Sequence, residues 1–239
     1  MRCGRETRPC KRTKQGQGQF ATILTDLDKS SVLEIVDSHK SDDIITVLKQ
    51  QPESIRAQVE EVCVDMWGGF PQVIRAVFPN AKIVIDRFHV QKLVNKNLNK
   101  IRLILKIKGL TNRYLLMSNR VNLSSSEELE LEILLQSSPV LRIAHELKEE
   151  LITIYNSNIT PSGGMRKLKR WLISAQIILK NAATTLKSHL EGICNYFQNR
   201  TTSGVTEGIN TKIKLIIRQS YGFKNFDLMK EKLLACLFK

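Results

Sequence analysis

The sequence predicts an α/β fold in which a mixed sheet core is interrupted by a long all-helical insertion, and three observations carry that prediction. Two short β-branched runs, Val62-Cys63-Val64 and the stretch from Ala81 to Ile85, each stop at a carboxylate, Asp65 and Asp86. Between them Trp67, Phe70, Ile74, Val77 and Phe78 recur at helical spacing, and Pro79-Asn80 supplies a break before the second run, which makes the segment a parallel βαβ crossover. From residue 88 to about 196, apolar residues keep helical spacing and no strand pattern appears. Catalytic and ligand groups gather at the C-terminal strand ends of such sheets, where Asp65 and Asp86 fall.

Residues 1–18 hold Arg, Lys, Cys, Pro and Gly and almost nothing apolar, so the pattern predicts a disordered basic tail. From Gln19, QFATILTDLD and SSVLEIVDSH form two β-rich runs joined at Asp28-Lys29-Ser30, a hairpin signal. Ser41-Asp42-Asp43 opens a helix carrying Ile44, Ile45, Val47 and Leu48, Pro52 offsets it, and a second helical piece through Ile55 and Val59 leads to the strand at 62–64. The order to that point is ββαβαβ.

Within the helical insertion charge is segregated. Arg87, Lys92, Lys96, Lys100, Arg102, Lys106, Lys108, Arg113 and Arg120 occur with no acid among residues 87–120. A solvated helix face usually mixes signs, so this block reads as a phosphate-facing surface. Residues 127–150 carry Glu127, Glu128, Glu130, Glu132, Glu146, Glu149 and Glu150, a helical pair turned away from nucleic acid. A second basic block, Arg166 to Trp171, follows a turn expected at Pro161-Ser162-Gly163-Gly164; Trp171 there reads as core before it reads as a base-stacking platform. A helix from about 204 to 220, closed by Gly222, places Ile209, Ile213, Ile216 and Ser220 on one stripe and Glu207, Asn210, Lys214 and Arg218 on the opposite, exposed face. Phe223, Phe226, Leu228, Leu233, Leu234 and Leu237 predict a final packing helix.

The whole chain of 239 residues has ample apolar content to bury. Its formal charge of +14, from 37 Lys and Arg against 23 Asp and Glu, and its pI of 9.7 favour a polyanionic partner, nucleic acid first, over a small metabolite. No apolar run approaches a membrane span and no signal-peptide pattern opens the chain, so the expected place is the cytoplasm, at the nucleoid, with no membrane partner. The five cysteines are scattered and never form a C-x-x-C pair, and the four histidines lack ligand spacing, so neither a disulfide framework nor a zinc site is indicated.

Val64-Asp65-Met66-Trp67, Pro79-Asn80-Ala81, Ile85-Asp86-Arg87-Phe88-His89-Val90 and Thr206-Glu207-Gly208-Ile209-Asn210, in this order, resemble the DDE transposases of bacterial insertion sequences, the ISL-three-like family. Arg218, Tyr221-Gly222-Phe223 and Asn225-Phe226 are similar to that family's C-terminal pattern, and the resemblance runs from about residue 15 to the end. It implies an RNase H-like catalytic core at 19–88 and 200–239, a helical insertion at 89–199, and three acids that hold two divalent cations, Mg2+ or Mn2+. Asp65 matches the second Asp of the triad and Glu207 its Glu. Two hard cations about 3.5–4 Å apart need oxygen ligands to activate a water or 3′-hydroxyl and to stabilise the leaving oxygen of a phosphodiester. Without that motif order, a helix N-cap for Asp65 and a surface helix acid for Glu207 are the plainer readings. Asp86, Arg87 and His89 match a motif beside the site; Asp86 is read as an orienter of the site and Arg87 as a phosphate contact, with a structural ion pair the equal alternative.

The resemblance breaks at the N-terminus. The first strand should end in a catalytic Asp, yet Asp26 is the first Asp and Glu6 the only earlier acid. The expectation is therefore a truncated or frameshifted chain without the first strand and without the family's upstream DNA-reading region: a fragment of an enzyme of metal-dependent DNA cleavage and strand transfer that is inactive by itself. Its partner is the duplex DNA of transposon ends, contacted by Arg87, Lys92, Lys96, Lys214 and Arg218, and its oligomeric state is open, a homo-oligomer included. The alternative is a non-catalytic, sequence-independent DNA-binding protein derived from a transposase; a structure-specific nuclease on the same core is disfavoured by the insertion and by the Thr206 to Asn210 motif.

Overall fold

The structure, a computed structural model, describes residues 2–12, 18–66, 68–223 and 225–237, with only backbone and the Cys3 side chain for 2–12 and backbone for 18–20. Trp67, residue 1 and the 13–17 part of the expected tail lie outside the described residues. The chain divides into two compact units, residues 1–86 with 200–239, and residues 87–199.

The first unit is built on a five-stranded sheet in the order β3-β2-β1-β4-β5. Its strands are β1 (Arg2–Arg12), β2 (Gly18–Asp26), β3 (Ser31–Val36), β4 (Glu61–Val64) and β5 (Lys82–Ile85). The hairpin expected at Asp28-Lys29-Ser30 joins β2 to β3 antiparallel; the Asp26 carboxylate accepts from the Asp28 and Lys29 amides, and Ser30 takes φ 54° to close the turn. The expected crossover also forms: β4 and β5 are parallel neighbours with Val62 opposite Ile83, joined by α3 (Phe70–Val77), whose Phe70, Val73, Ile74 and Val77 are buried. Between β3 and β4 run α1 (Ser41–Leu48) and the single-turn α2 (Glu53–Arg56).

The N-terminal segment corrects the sequence reading. Residues 2–12 form β1, in the middle of the sheet, antiparallel to β2 and parallel to β4 with Cys3 opposite both Asp26 and Val62. A strand thus stands where a tail and a gap were expected. Composition misled because a central strand is held by backbone groups that pair on both sides, and this pairing needs no apolar side chain. Pro9, which has no amide to donate, coincides with a register shift against β2. Consequently β2 is an interior strand, and residues 19–26 do not form the exposed, aggregation-prone edge that loss of the first strand would leave.

Alternation of side chains along the sheet sets two packing layers. On one face Ala21, Ile23, Val32 and Ile35 meet Ile209 and Ile213 of α11 (Gly204–Gln219) and Met229 and Leu233 of α12 (Phe226–Leu237), with Ile216 partly buried beside them. On the other, Leu24 and Leu33 share a small cleft with Leu48, Val59 and Phe78. Gly222 closes α11 as expected: at φ 88° its amide reaches the Ile217 carbonyl at 3.0 Å. Lys230 of α12 adds an ion pair to Glu34 of β3 at 2.5 Å.

The second unit is helical throughout its described residues: α4 (Arg87–Ile104), α5 (Leu110–Met117), a 3-10 turn at Arg120–Asn122, α6 (Ser125–Gln136), α7 (Pro139–Asn156), α8 (Pro161–Ile178), α9 (Lys180–Ser188) and α10 (Leu190–Asn199). Ser124 and Glu127 cap α6 reciprocally. The segment from Pro161 to Gly164, expected as a turn, is instead the first turn of α8, because Thr160 accepts the Gly163 amide at 3.2 Å and Pro161 sits where its missing amide costs nothing. Gly164 is needed for a different reason: a Cβ there would lie 2.3 Å from the Phe197 ring, which is itself stacked on Tyr155. Gly164→Ala should cost about 1–3 kcal/mol by overpacking, read as a lower urea midpoint at unchanged slope. A midpoint equal to the parent's would mean that Phe197 yields freely.

Trp171 is core, as the plainer reading had it, buried and donating its indole N–H to the Leu147 carbonyl at 2.8 Å. Next to it lies a buried polar node. The Lys148 ammonium donates to the Leu116 and Ser118 carbonyls at the end of α5 and to Glu149 at 2.7 Å. His145, also buried, has no hydrogen-bond partner at Nε2, and its pKa is lowered to about 3, chiefly by burial and then by the charges of Lys148, Arg120 and Arg142. Below pH 6.5 the unfolded chain binds a proton at this histidine that the folded chain refuses, so stability falls as pH drops through the window from 6.5 to about 3. His145→Gln should flatten that slope, by at most about 1.4 kcal/mol per pH unit, in urea titrations at pH 7, 5.5 and 4.5. An unchanged pH profile would exclude His145 as the group responsible.

Candidate functional site

Asp65 is the first residue beyond β4 and is half-buried. Its place follows from the local sequence: the four residues from Glu61 to Val64 are all buried, and Asp65 comes where the strand leaves the sheet for the crossover. Glu207 lies in the first turn of α11, half-buried, with its amide bonded to the Ser203 carbonyl at 3.0 Å.

A set of hydroxyls that sequence reasoning passed over fixes where α11 begins. Thr201 donates to the buried carboxylate of Glu61, Ser203 Oγ donates to Asp86 Oδ2 at 2.5 Å, and the Thr206 and Thr25 hydroxyls share a bond of 2.8 Å. All of these groups are buried, so each bond replaces a lost water contact, and breaking one leaves a partner unsatisfied. Together they tie the chain from Thr201 to Thr206 to the starts and ends of β4, β5 and β2. Thr25 is level with Gly4, and Gly4 with Cys63, so Thr206 is anchored two residue positions short of Asp65 along the strand direction. Glu207 is the next residue. The signal was the hydroxyl-rich run Thr201-Thr202-Ser203 with Thr206, visible in the sequence just ahead of and inside the expected helix.

Asp86 therefore bears on the position of α11 through Ser203. Removing that bond by Ser203→Ala should destabilise the first unit by about 1–3 kcal/mol, since the Asp86 carboxylate stays buried without this donor. Chemical denaturation of the variant checks this, and a change below about 0.5 kcal/mol would dismiss the bond as unimportant.

Asn210 needs correction. It was placed on the exposed face with Glu207, but its side chain is buried, as is that of Thr206. Helix α11 buries a wider arc than the isoleucine stripe alone, because it lies over the sheet and not along its rim. Lys214 and Arg218 are exposed, as expected.

Cys3 and Cys63 lie beside the strand ends but offer no thiolate. Burial, reinforced by Asp26, pushes Cys3 up to about 12, and burial with Asp86 and Glu61 pushes Cys63 well above its usual range. Donors for a cation here are thus carboxylate oxygens, the type hard divalent ions take. Among the described residues no three His, Cys, Asp or Glu side chains come together as a metal group. The one acid on β1 is Glu6, two residues beyond Gly4 as Asp65 is two beyond Cys63, so its backbone lies in the sheet and not in a loose tail.

In the second unit the basic block resolves into two kinds of residue. Lys92, Lys96 and Lys100 form an exposed i, i+4, i+8 stripe on α4, and Lys106, Lys108 and Arg113 are exposed beyond it. Arg102 is buried, donating to the Ile107 carbonyl and to Asn99, and Arg120 is paired with Glu128 and Glu132. Arg87 lies between these cases: it donates to Asn156 Oδ1 at 2.7 Å and sits over the Tyr155 ring at 5.4 Å, which holds the guanidinium in place. The acids of α6 and α7 serve in part as internal partners, Glu132 to Arg120 and Arg142, and Glu149 to Lys148.

Against known proteins, a family model described as transposase, of the ISL3 type, matches residues 11–233. The transposase for insertion sequence element IS1001 of Bordetella parapertussis is 26% identical over 226 residues, which are 87% of this chain and 54% of that protein. The transposase for IS1557 of Mycobacterium tuberculosis is 28% identical over 117 residues, 47% of this chain and 26% of the relative. The chain spans about half the length of the first of these relatives.

Proposed function

This chain belongs to the ISL3-type family of transposases, and from that premise we propose that its sheet-bearing unit is an RNase H-like catalytic core of the DDE type, acting on duplex DNA at transposon ends. One observation carries the reading: Asp65 leaves the end of β4, and the turn that holds Glu207 is bonded to the same sheet through Thr206, Ser203 and Thr201. A strand order of β3-β2-β1-β4-β5, antiparallel through β3, β2 and β1 and parallel through β1, β4 and β5, agrees with such a core.

Asp65 and Glu207 are the residues that would hold Mg2+ or Mn2+, which when bound supplies charge stabilisation at a phosphodiester and an activated oxygen nucleophile. The donors are of the right type and one carboxylate short of the family's set, since β1 carries a glutamate and no aspartate. We therefore read the chain as binding a cation weakly and as catalytically deficient alone. Mn2+ titration followed by electron paramagnetic resonance tests the site: a single weak site is expected, at least tenfold weaker in Asp65→Ala and in Glu207→Ala. Identical titrations for all three proteins would reject Asp65 and Glu207 as ligands.

DNA contact is assigned to the exposed stripe of Lys92 and Lys96, to Arg87, and to Lys214 and Arg218. Phosphates are the natural partner of cations set at helical repeat with no acid among them. Among the described residues no helix is long and apolar enough to cross a membrane. The second reading, a DNA-binding protein without catalysis, is favoured by the same incomplete acid set and is separated from the first by the metal titration.

A further inference from the structure

We propose that the cleft between α8 and α9 receives the α6 face of a second copy of this chain. The cleft, ≈ 500 Å³ in volume, is floored by Leu172, Ile173 and Leu190 and rimmed by Lys169 and Lys187. Its apolar side continues onto Ile177, so Ile173 and Ile177 stand one helical turn apart, 71% and 79% exposed. Two isoleucines presented together at that exposure, beside an apolar cleft, form a surface that water solvates poorly and that a helix can cover.

The chain itself carries the matching surface. Leu129 and Ile133 on α6 are also one turn apart and are 68% and 69% exposed. They share the helix with Glu127, Glu128, Glu130 and Glu132, of which Glu128 and Glu132 also pair with Arg120 and Glu132 with Arg142, and no cation occurs from residue 121 to 141. Around the cleft the sign is opposite: Arg166, Lys167, Lys169, Arg170, Lys180 and Lys187 occur with no acid anywhere from residue 151 to 190. An acidic helix with an i, i+4 aliphatic pair therefore fits a basic cleft with an i, i+4 aliphatic pair, in both apolar spacing and charge. The two stripes are exposed within this chain, so the contact they make is between copies. Duplex DNA would satisfy the lysines but would leave Ile173 and Ile177 against phosphate and water, so the pattern favours protein. Because the two faces differ, each copy offers one donor and one acceptor surface, and the contact either closes on a pair or runs head to tail.

The experiment is sedimentation velocity on the purified chain without DNA or divalent metal, which makes the outcome independent of the catalytic reading. The parent protein should associate at tens of micromolar. Ile173→Glu with Ile177→Glu should be monomeric, and so should Leu129→Lys with Ile133→Lys; all four positions are exposed, and unchanged thermal melting confirms the fold. Mixed in equal amounts, the two double variants should recover a heterodimer, since one intact cleft then meets one intact helix face. A monomeric parent, association that survives either double variant, or a mixture that stays monomeric would each overturn the proposal. So would loss of duplex affinity in the cleft variant with self-association intact, which would give the cleft to DNA.

Discussion

Incubated with magnesium or manganese and a duplex carrying the element's ends, the purified chain is expected to leave both strands uncut. Two-metal catalysis would need the full set of carboxylates, and the resemblance assigns one of them to an Asp on the first strand. Strand β1 exists, but the acid it carries is Glu6, whose side chain is one methylene longer than that of Asp and which lies between Arg5 and Arg8 in the sequence. Loss or misplacement of one carboxylate of a metal cluster should remove several kcal/mol of transition-state stabilisation, at about tenfold in rate for every ~1.4 kcal/mol. Cleavage by the parent chain that vanishes in Asp65→Ala and Glu207→Ala would show that the enzyme is intact. If it vanished in Glu6→Ala as well, Glu6 would be its third acid. The middle of the sheet is filled by β1, so no gap in the sheet contributes to the expected result.

Duplex affinity is expected to collapse with salt and to differ little among unrelated sequences. Lys92, Lys96, Lys100, Lys106, Lys108 and Arg113 are exposed in the acid-free stretch, and neutralising about six phosphates gives a log–log slope near −5 and a loss of about 10³-fold between 50 and 200 mM salt. Replacing Lys92, Lys96 and Lys100 together by Ala should reduce the slope by roughly three, while Arg102 and Arg120, held by internal partners, are the wrong residues to probe for phosphate contact. Fluorescence anisotropy at four salt concentrations measures both. A flat salt response, or one duplex preferred by orders of magnitude, would remove the electrostatic account.

The sequence by itself determined the order and extent of the elements that rest on local periodicity. The crossover from Val62 to Ile85, the hairpin at Asp28 to Ser30, the helix carrying Glu207 and the helical stretch after Asp86 are all set by apolar spacing and turn residues acting over a few positions. So was the place of Asp65, because a buried β-branched run ending in a carboxylate marks a strand end wherever the sheet is. Motif order supplied the family, since several weak patterns in one sequence order are rarely coincident.

Only the tertiary structure decided what depends on partners far away in the chain. Residues 2–12 became the middle strand because β2 and β4 pair their backbone on both sides, a gain that side-chain composition does not record. Asn210 went inward because the sheet lies beneath α11, whereas helical periodicity places a residue on an arc without saying how wide an arc is covered. Gly164 had to be a glycine because Phe197, thirty-three positions on, packs where a Cβ would stand. The hydroxyls of Thr201, Ser203 and Thr206 became anchors because Glu61, Asp86 and Thr25 meet them across long separations. In each case the deciding energy is a contact between distant segments, and such contacts exist only once the chain has folded.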